Sequence, residues 1–192
     1  MEKKPDLSAS GILIAEYEYI AQTVFQANED RSRAASFYLV TFASFIAALV
    51  GAQFEFDPAQ VFYVNMGFGV LFIILAVFGL LTILSLVRLR QAWFESIAAL
   101  NQIKDYYIAQ MGNDAFEQAF RWRMASAPAR FKPGSVGFLL VLQIALLGGV
   151  STAAAVYFFL VSWHVTQLLW ITAAAFAVSF GGQVWMYKKL LD

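Results

Sequence analysis

Cysteine is absent from the 192 residues, histidine occurs once, proline four times, and only 14% of the chain is charged. Each scarcity closes a class of function. Without cysteine there are no disulfides, thiolate metal sites, iron–sulfur clusters or cysteine nucleophiles. With His164 alone, a multi-histidine metal site or a paired haem ligand set within one chain is impossible. The shortage of charge matters most, because a soluble domain needs about a quarter of its residues charged to cover its surface. Formal net charge is zero, so no basic excess points to nucleic acid. No metal, no cofactor and no enzymatic activity are expected.

What is present in quantity is apolar: 60% of residues are hydrophobic and 17% aromatic. That balance is the signature of an integral membrane protein, and the length of its apolar runs makes the expected fold all-α. A spanning helix needs about 20 apolar residues, since roughly 30 Å of hydrocarbon is crossed at about 1.5 Å per residue. Three stretches free of Asp, Glu, Lys and Arg qualify: Ala34 to Phe54, Val61 to Val87, and Pro133 to Tyr187. The last is long enough for two helices and divides at "SWHVTQ", where polar residues lie between Trp163 and Trp170. Four spans are therefore expected, at about 35–54, 61–87, 136–161 and 166–187. They form two transmembrane hairpins, 34–87 and 133–189, with a tail at 1–10, an amphipathic helix at 11–33, a helical segment at 88–132, and a tail at 190–192. The apolar patch "GILIA" near the start is too short for a signal-peptide core. The first span is expected to serve as the insertion signal.

Orientation follows from the basic residues. All thirteen Lys and Arg fall on one side of the four-span arrangement, and the connections "GAQFEFDPAQ" and "SWHVTQ" contain none. A central Lys or Arg costs about 2.5 to 3.5 kcal/mol on the insertion scale. The positive-inside rule then places both termini and the middle segment in the cytoplasm, in a multi-pass protein of the cell (inner) membrane. Arg31, Arg33, Arg88, Arg90, Lys188 and Lys189 border the spans and read as topology anchors.

Outside the spans the pattern changes. Leu13, Tyr17, Ile20, Val24 and Ala27 recur at spacings of three and four, in a helix expected to continue without a break into the first span. From Arg88 to Met111, Trp93, Ile97, Leu100, Ile103, Tyr107 and Met111 form a second stripe, with Gly112 as a natural stop. Asp114 and Glu117 resemble a capping arrangement for a short helix carrying Phe116, Phe120 and Met124, closed by Pro128 and Pro133. The two stripes either pack on each other or present a docking face to a second copy, another membrane subunit or a soluble partner. Arg121, Trp122 and Arg123, and again Arg130, Phe131 and Lys132, interleave basic and aromatic residues in a way that suits an anionic lipid surface.

Chemistry is sparse. No Asp, Glu, His, Lys or Arg lies within the spans, whereas proton-coupled transporters, pumps and voltage sensors keep such groups at depth. Thr41, Ser44, Thr82 and Gln143 fall about two turns inside the cytoplasmic boundary and form a possible polar layer, either lining a constriction in an oligomer or hydrogen-bonding between helices. Glu55 and Asp57 are possible outer-mouth acids, although "DP" also starts an ordinary turn. "GFG" at 67–69 has no preceding strand or following lysine and is no phosphate loop. Gly148, Gly149, Gly181 and Gly182 are expected to bring the third and fourth spans into close contact.

"YIAQTVFQANEDRSRAASFYLV", an amphipathic helix ending in an arginine cluster and feeding a membrane hairpin, is followed by a long helix at 88–111. Over residues 11–111 this arrangement resembles the SLATT-type bacterial membrane effector proteins. The resemblance implies a membrane effector in nucleotide-signalled defence. It ends at 111, because that group has two spans where this chain has four. From the residues alone, the expectation is a structural or interaction subunit embedded in the lipid bilayer, with an oligomeric pore or membrane effector as the alternative.

Overall fold

A computed structural model of the protein describes residues 9–51, 57, 60–111, 123 and 129–192. Among them are four helices and no strand: α1, Ala9–Gly51; α2, Val61–Met111; α3, Val136–Ser162; α4, Leu168–Leu191. Each contains a stretch long and apolar enough to cross a membrane. The amphipathic 11–33 segment and the first apolar stretch are one helix of 43 residues. The apolar run to Val87 and the striped segment beyond it are one helix of 51. Nothing in either composition change breaks a helix, since neither junction contains a proline or a glycine. Residues 52–56, the short helix expected after Asp114, and Glu55 lie outside the described residues.

The ends follow local chemistry. "KPGS" makes a turn closed by Ser135 N–H to Lys132 O at 3.3 Å, and Gly134 takes the positive φ of 78° that its third position requires. Ser135 then caps α3, its hydroxyl accepting from Phe138 N–H at 3.3 Å. At the other end of α3, His164 adopts φ 53°, its N–H donating to Val161 O at 3.2 Å, while Val165 N–H donates to Leu160 O at 3.1 Å. That pair of bonds is the Schellman stop, with histidine in the place glycine usually takes.

The chain divides into two units, Met1–Asp30 with Arg88–Arg130, and Arg31–Val87 with Phe131–Asp192. In the second, Ala35 and Tyr38 of α1 are buried, and Phe42 and Phe45 continue their three-and-four spacing. On α2 the inward row is Phe72, Leu75, Gly79, Ile83 and Leu86, and on α3 it is Val141, Ile144, Ala145, Gly148 and Ala155. These rows meet in two clusters, one around Tyr38, Ile83 and Ile144, the other around Phe72, Leu75 and Ala155. Glycines carry the close approaches. A Cβ on Gly79 would stand 2.7 Å from the Tyr38 hydroxyl, and one on Gly69 would stand 2.8 Å from the Phe159 ring.

The last two helices pack on each other, as the glycines predict, but only half of those glycines take part. Gly148 faces Gln183 and Gly149 faces Phe176 and Phe180, whereas Gly181 and Gly182 have nothing within 4 Å and are exposed. Helical spacing is the reason. Gln183 is the buried residue of that turn of α4, which turns its two preceding neighbours away.

In the first unit, residues 9–30 and 88–111 run antiparallel. The Thr23 hydroxyl donates to Ile20 O at 2.7 Å and lies 3.2 Å from the Ser96 hydroxyl. Ile20, Ala27, Leu100 and Asn101 are buried, so the two sequence stripes face each other. Asp105 pairs with Arg123 at 3.3 Å, both about a third exposed.

Candidate functional site

Among the described residues of the second unit, a chain of polar side chains lies between α3 and α4. On α3, the Thr152 hydroxyl donates to Gly148 O at 2.9 Å, the back-bond that helical threonines make. Across the interface it lies 2.9 Å from the Ser179 hydroxyl, and Gln183 Nε2 donates to that same serine at 2.9 Å. Because the Thr152 proton is committed to Gly148 O, Ser179 donates to Thr152 and accepts from Gln183. The whole chain of protons therefore runs one way, and it fixes which end of the Gln183 amide is nitrogen. The remaining end, Oε1, is buried and has no donor, although Gln183 is only 7% exposed. Gly148 makes room for this amide, since a Cβ there would meet its oxygen at 2.7 Å.

These three side chains floor a recess of about 300 Å³ walled by Ala76, Val77 and Leu80 of α2 and by Val178 and Gly182 of α4. Val77, Leu80, Val178 and Gly182 are exposed, so the recess opens on the outside of the helices. Nearby, the fully buried Tyr38 donates to Leu75 O at 3.5 Å, and its hydroxyl also meets Ser151. Ser179 and Gln183 escape sequence reasoning because each is a lone polar residue in an apolar run. Their spacing of four, opposite Gly148 and Thr152 at the same spacing, is the signal that points to them.

The sequence-derived polar residues are not gathered in this way. Thr82 is buried and donates to Phe78 O at 2.9 Å within its own helix. Thr41 is half-buried, and Ser44 and Gln143 are exposed on the outer faces of α1 and α3. Among the outer acids, Asp57 is exposed and its carbonyl accepts from Gln60 N–H at 2.8 Å, while Glu55 lies outside the described residues.

The anchor arginines and lysines are held individually. Arg31 lies against Gly137, 3.2 Å from where a Cβ would stand, and Arg33 is exposed. Arg88 donates to Gln91 Oε1 at 3.5 Å. Arg90 donates to the carbonyls of Arg130 and Ala129 at 3.1 and 3.3 Å and covers the Trp93 ring at 4.4 Å. Lys188 and Lys189 sit over Phe131 and Trp185 at 5.9 and 4.8 Å. Cations riding on aromatic rings suit the headgroup level of a bilayer, where one side chain is wet and its neighbour greasy.

In the first unit, a groove of about 360 Å³ runs between Leu13, Ile14, Tyr17 and Glu18 of α1 and Ile103, Lys104 and Tyr107 of α2. Along this part of α1 large apolar side chains are exposed: Phe25 is 72% exposed, Tyr19 64% and Ile14 57%. Among the described residues no three His, Cys, Asp or Glu side chains stand where they could hold a metal ion. Comparison with protein-family models, curated proteins and solved structures finds no match to this chain.

Proposed function

We propose that the chain is a four-span membrane protein of the cell membrane, non-enzymatic, with both termini and residues 88–132 in the cytoplasm. It acts as a structural or interaction subunit whose cytoplasmic helices dock to a second copy or to a membrane-protein partner. One observation carries the docking reading. Ile14, Tyr19 and Phe25 lie outside the longest apolar stretch of α1, on the charged, amphipathic part of the helix, yet they are exposed. On a helix bathed in water, burying such side chains at about 25 cal/mol per Å² supplies a driving force for association.

The alternative is an oligomeric pore or membrane effector. Ser44 and Gln143 support it, because outward-facing polar side chains on apolar helices gain from hydrogen-bonding partners in a neighbouring chain. The resemblance of residues 11–111 to SLATT-type effectors points the same way.

Purified protein reconstituted in liposomes separates the two. Ion conductance by a homo-oligomer sinks the subunit reading; a stable complex without conductance, lost on changing Tyr19 and Phe25 to serine, sinks the pore. The topology is tested on single cysteines in this cysteine-free chain. An impermeant reagent added outside cells is expected to label Glu55→Cys and spare Gln102→Cys, and the reverse pattern overturns the orientation.

A further inference from the structure

Once its protons are assigned, the recess over Thr152, Ser179 and Gln183 has a definite chemical demand. Its floor is neutral, and its one unmatched group is an acceptor, Gln183 Oε1, on a side chain more than nine-tenths buried. Its walls are hydrocarbon: Ala76, Val77, Leu80 and Val178, with Gly182 leaving the mouth open because nothing lies within 4 Å of where its Cβ would be. Five residues separate Gln183 from Lys188, so the acceptor sits about 7.5 Å below the basic end of α4, and Ser179 sits about 13.5 Å below it.

A donor that reaches this depth from the lipid phase must be uncharged, because an ammonium or guanidinium pays several kcal/mol to leave the interface. Water alone satisfies the oxygen but leaves the apolar walls unfilled. A hydroxyl on a hydrocarbon body satisfies both. The terminal amide torsion of glutamine is broad, so a rotation brings Oε1 from beside Gly148 toward such a group without moving the helix, the new hydrogen bond offsetting a lengthened Nε2–Ser179 bond. We propose that this recess binds a neutral lipid-phase alcohol or phenol, whose O–H donates to Gln183 Oε1 while its apolar body lies between α2 and α4. The site rests on the membrane-spanning reading above, and its test keeps the two apart.

The probe is a long-chain primary alcohol carrying a diazirine a few carbons from the hydroxyl, added to the full chain in phosphatidylcholine vesicles. Irradiation is expected to give a saturable adduct mapping to residues 76–80 and 178–183. Excess unlabelled alcohol should compete at least tenfold better than its methyl ether, which has the same body and no donor. Gln183→Leu, which keeps the bulk and removes the acceptor, should weaken labelling about tenfold, the scale of one buried hydrogen bond. Gly182→Leu should block the mouth and abolish labelling while circular dichroism stays that of the parent.

Non-saturable labelling, equal competition by the ether, or full labelling of Gln183→Leu overturns the site. So does rapid disulfide dimerisation of Gly182→Cys, which would make a second copy the occupant of this face. Flotation of the same vesicles distinguishes the failures. A chain that floats but is not labelled at the recess loses only the ligand site; one that does not float loses the spanning reading and the site with it.

Discussion

Helices α1 and α2 contribute to both units, and the two units use opposite means to pair them. Between residues 9–30 and 88–111 the contact face is written as a pattern: apolar residues every three or four positions, with charge and amide elsewhere. Between residues 34–51 and 61–87 no residue is charged and apolar side chains dominate every face, so pattern selects little. There the choice falls to volume. Tyr38 of α1 sits where Gly79 of α2 leaves space, and on the α2–α3 side Phe159 does the same against Gly69. In lipid, exposing leucine on either side of a helix is equally favourable, so dispersion and fit decide which sides meet. In water, burial decides.

The comparison breaks most sharply at Gly79. Gly79→Ala sets a methyl 2.7 Å from the hydroxyl of a side chain with 0% exposure, which has nowhere to retreat. A loss of about 2–3 kcal/mol in detergent unfolding is expected, and adding Tyr38→Phe should recover part of it by deleting the clashing oxygen. No loss would mean that volume does not set the α1–α2 contact. Next comes Asn101, the polar exception on the patterned side. It is 1% exposed, accepts from Lys104 Nζ at 3.4 Å, and its Nδ2 has no partner. Asn101→Leu should stabilise the pair by about 1 kcal/mol, read as slower hydrogen exchange across residues 9–30 and 88–111. Faster exchange would show that the amide specifies the pairing rather than weakening it.

Gly69→Ala should cost less than Gly79→Ala, about 1 kcal/mol or below. The Phe159 ring it meets is only half-buried and can swing, so equal losses would contradict the reason given for Gly79. Thr23→Ala removes one contact to Ser96 at 3.2 Å and is expected to lower stability by about 0.5 kcal/mol in the same exchange measurement. Smallest is His164→Asn, which suits the left-handed cap at least as well and should shift the melting transition by no more than about a few tenths of a kcal/mol. A large loss there would indicate that the imidazole itself is used.

These cases mark what was legible. Of the expected stripe Leu13, Tyr17, Ile20, Val24 and Ala27, all but the exposed Tyr17 hold buried or half-buried positions, because an amphipathic surface records its own orientation. The expected stop at Gly112 lies outside the described residues, whereas the break expected at Pro133 coincides with the "KPGS" turn, because proline and glycine constrain φ directly. The polar layer was another matter. Thr41, Ser44, Thr82 and Gln143 share a depth along their helices, but depth says nothing about azimuth, and they point to different sides. Gly148 and Gly149 were picked out with Gly181 and Gly182 as one class, and only the first two meet a neighbour.

By itself the sequence determined the four long helices among the described residues, the length and apolar character that let each cross a bilayer, and the exclusion of every Lys and Arg from the long apolar stretches. Those properties are summed along the chain, so composition and spacing carry them. The tertiary structure alone decided which faces meet, which glycine receives which ring, and that Thr152, Ser179 and Gln183 converge with one acceptor left over. Those properties depend on the rotation of one uniformly apolar helix against another, and a uniformly apolar surface encodes that rotation only through shape.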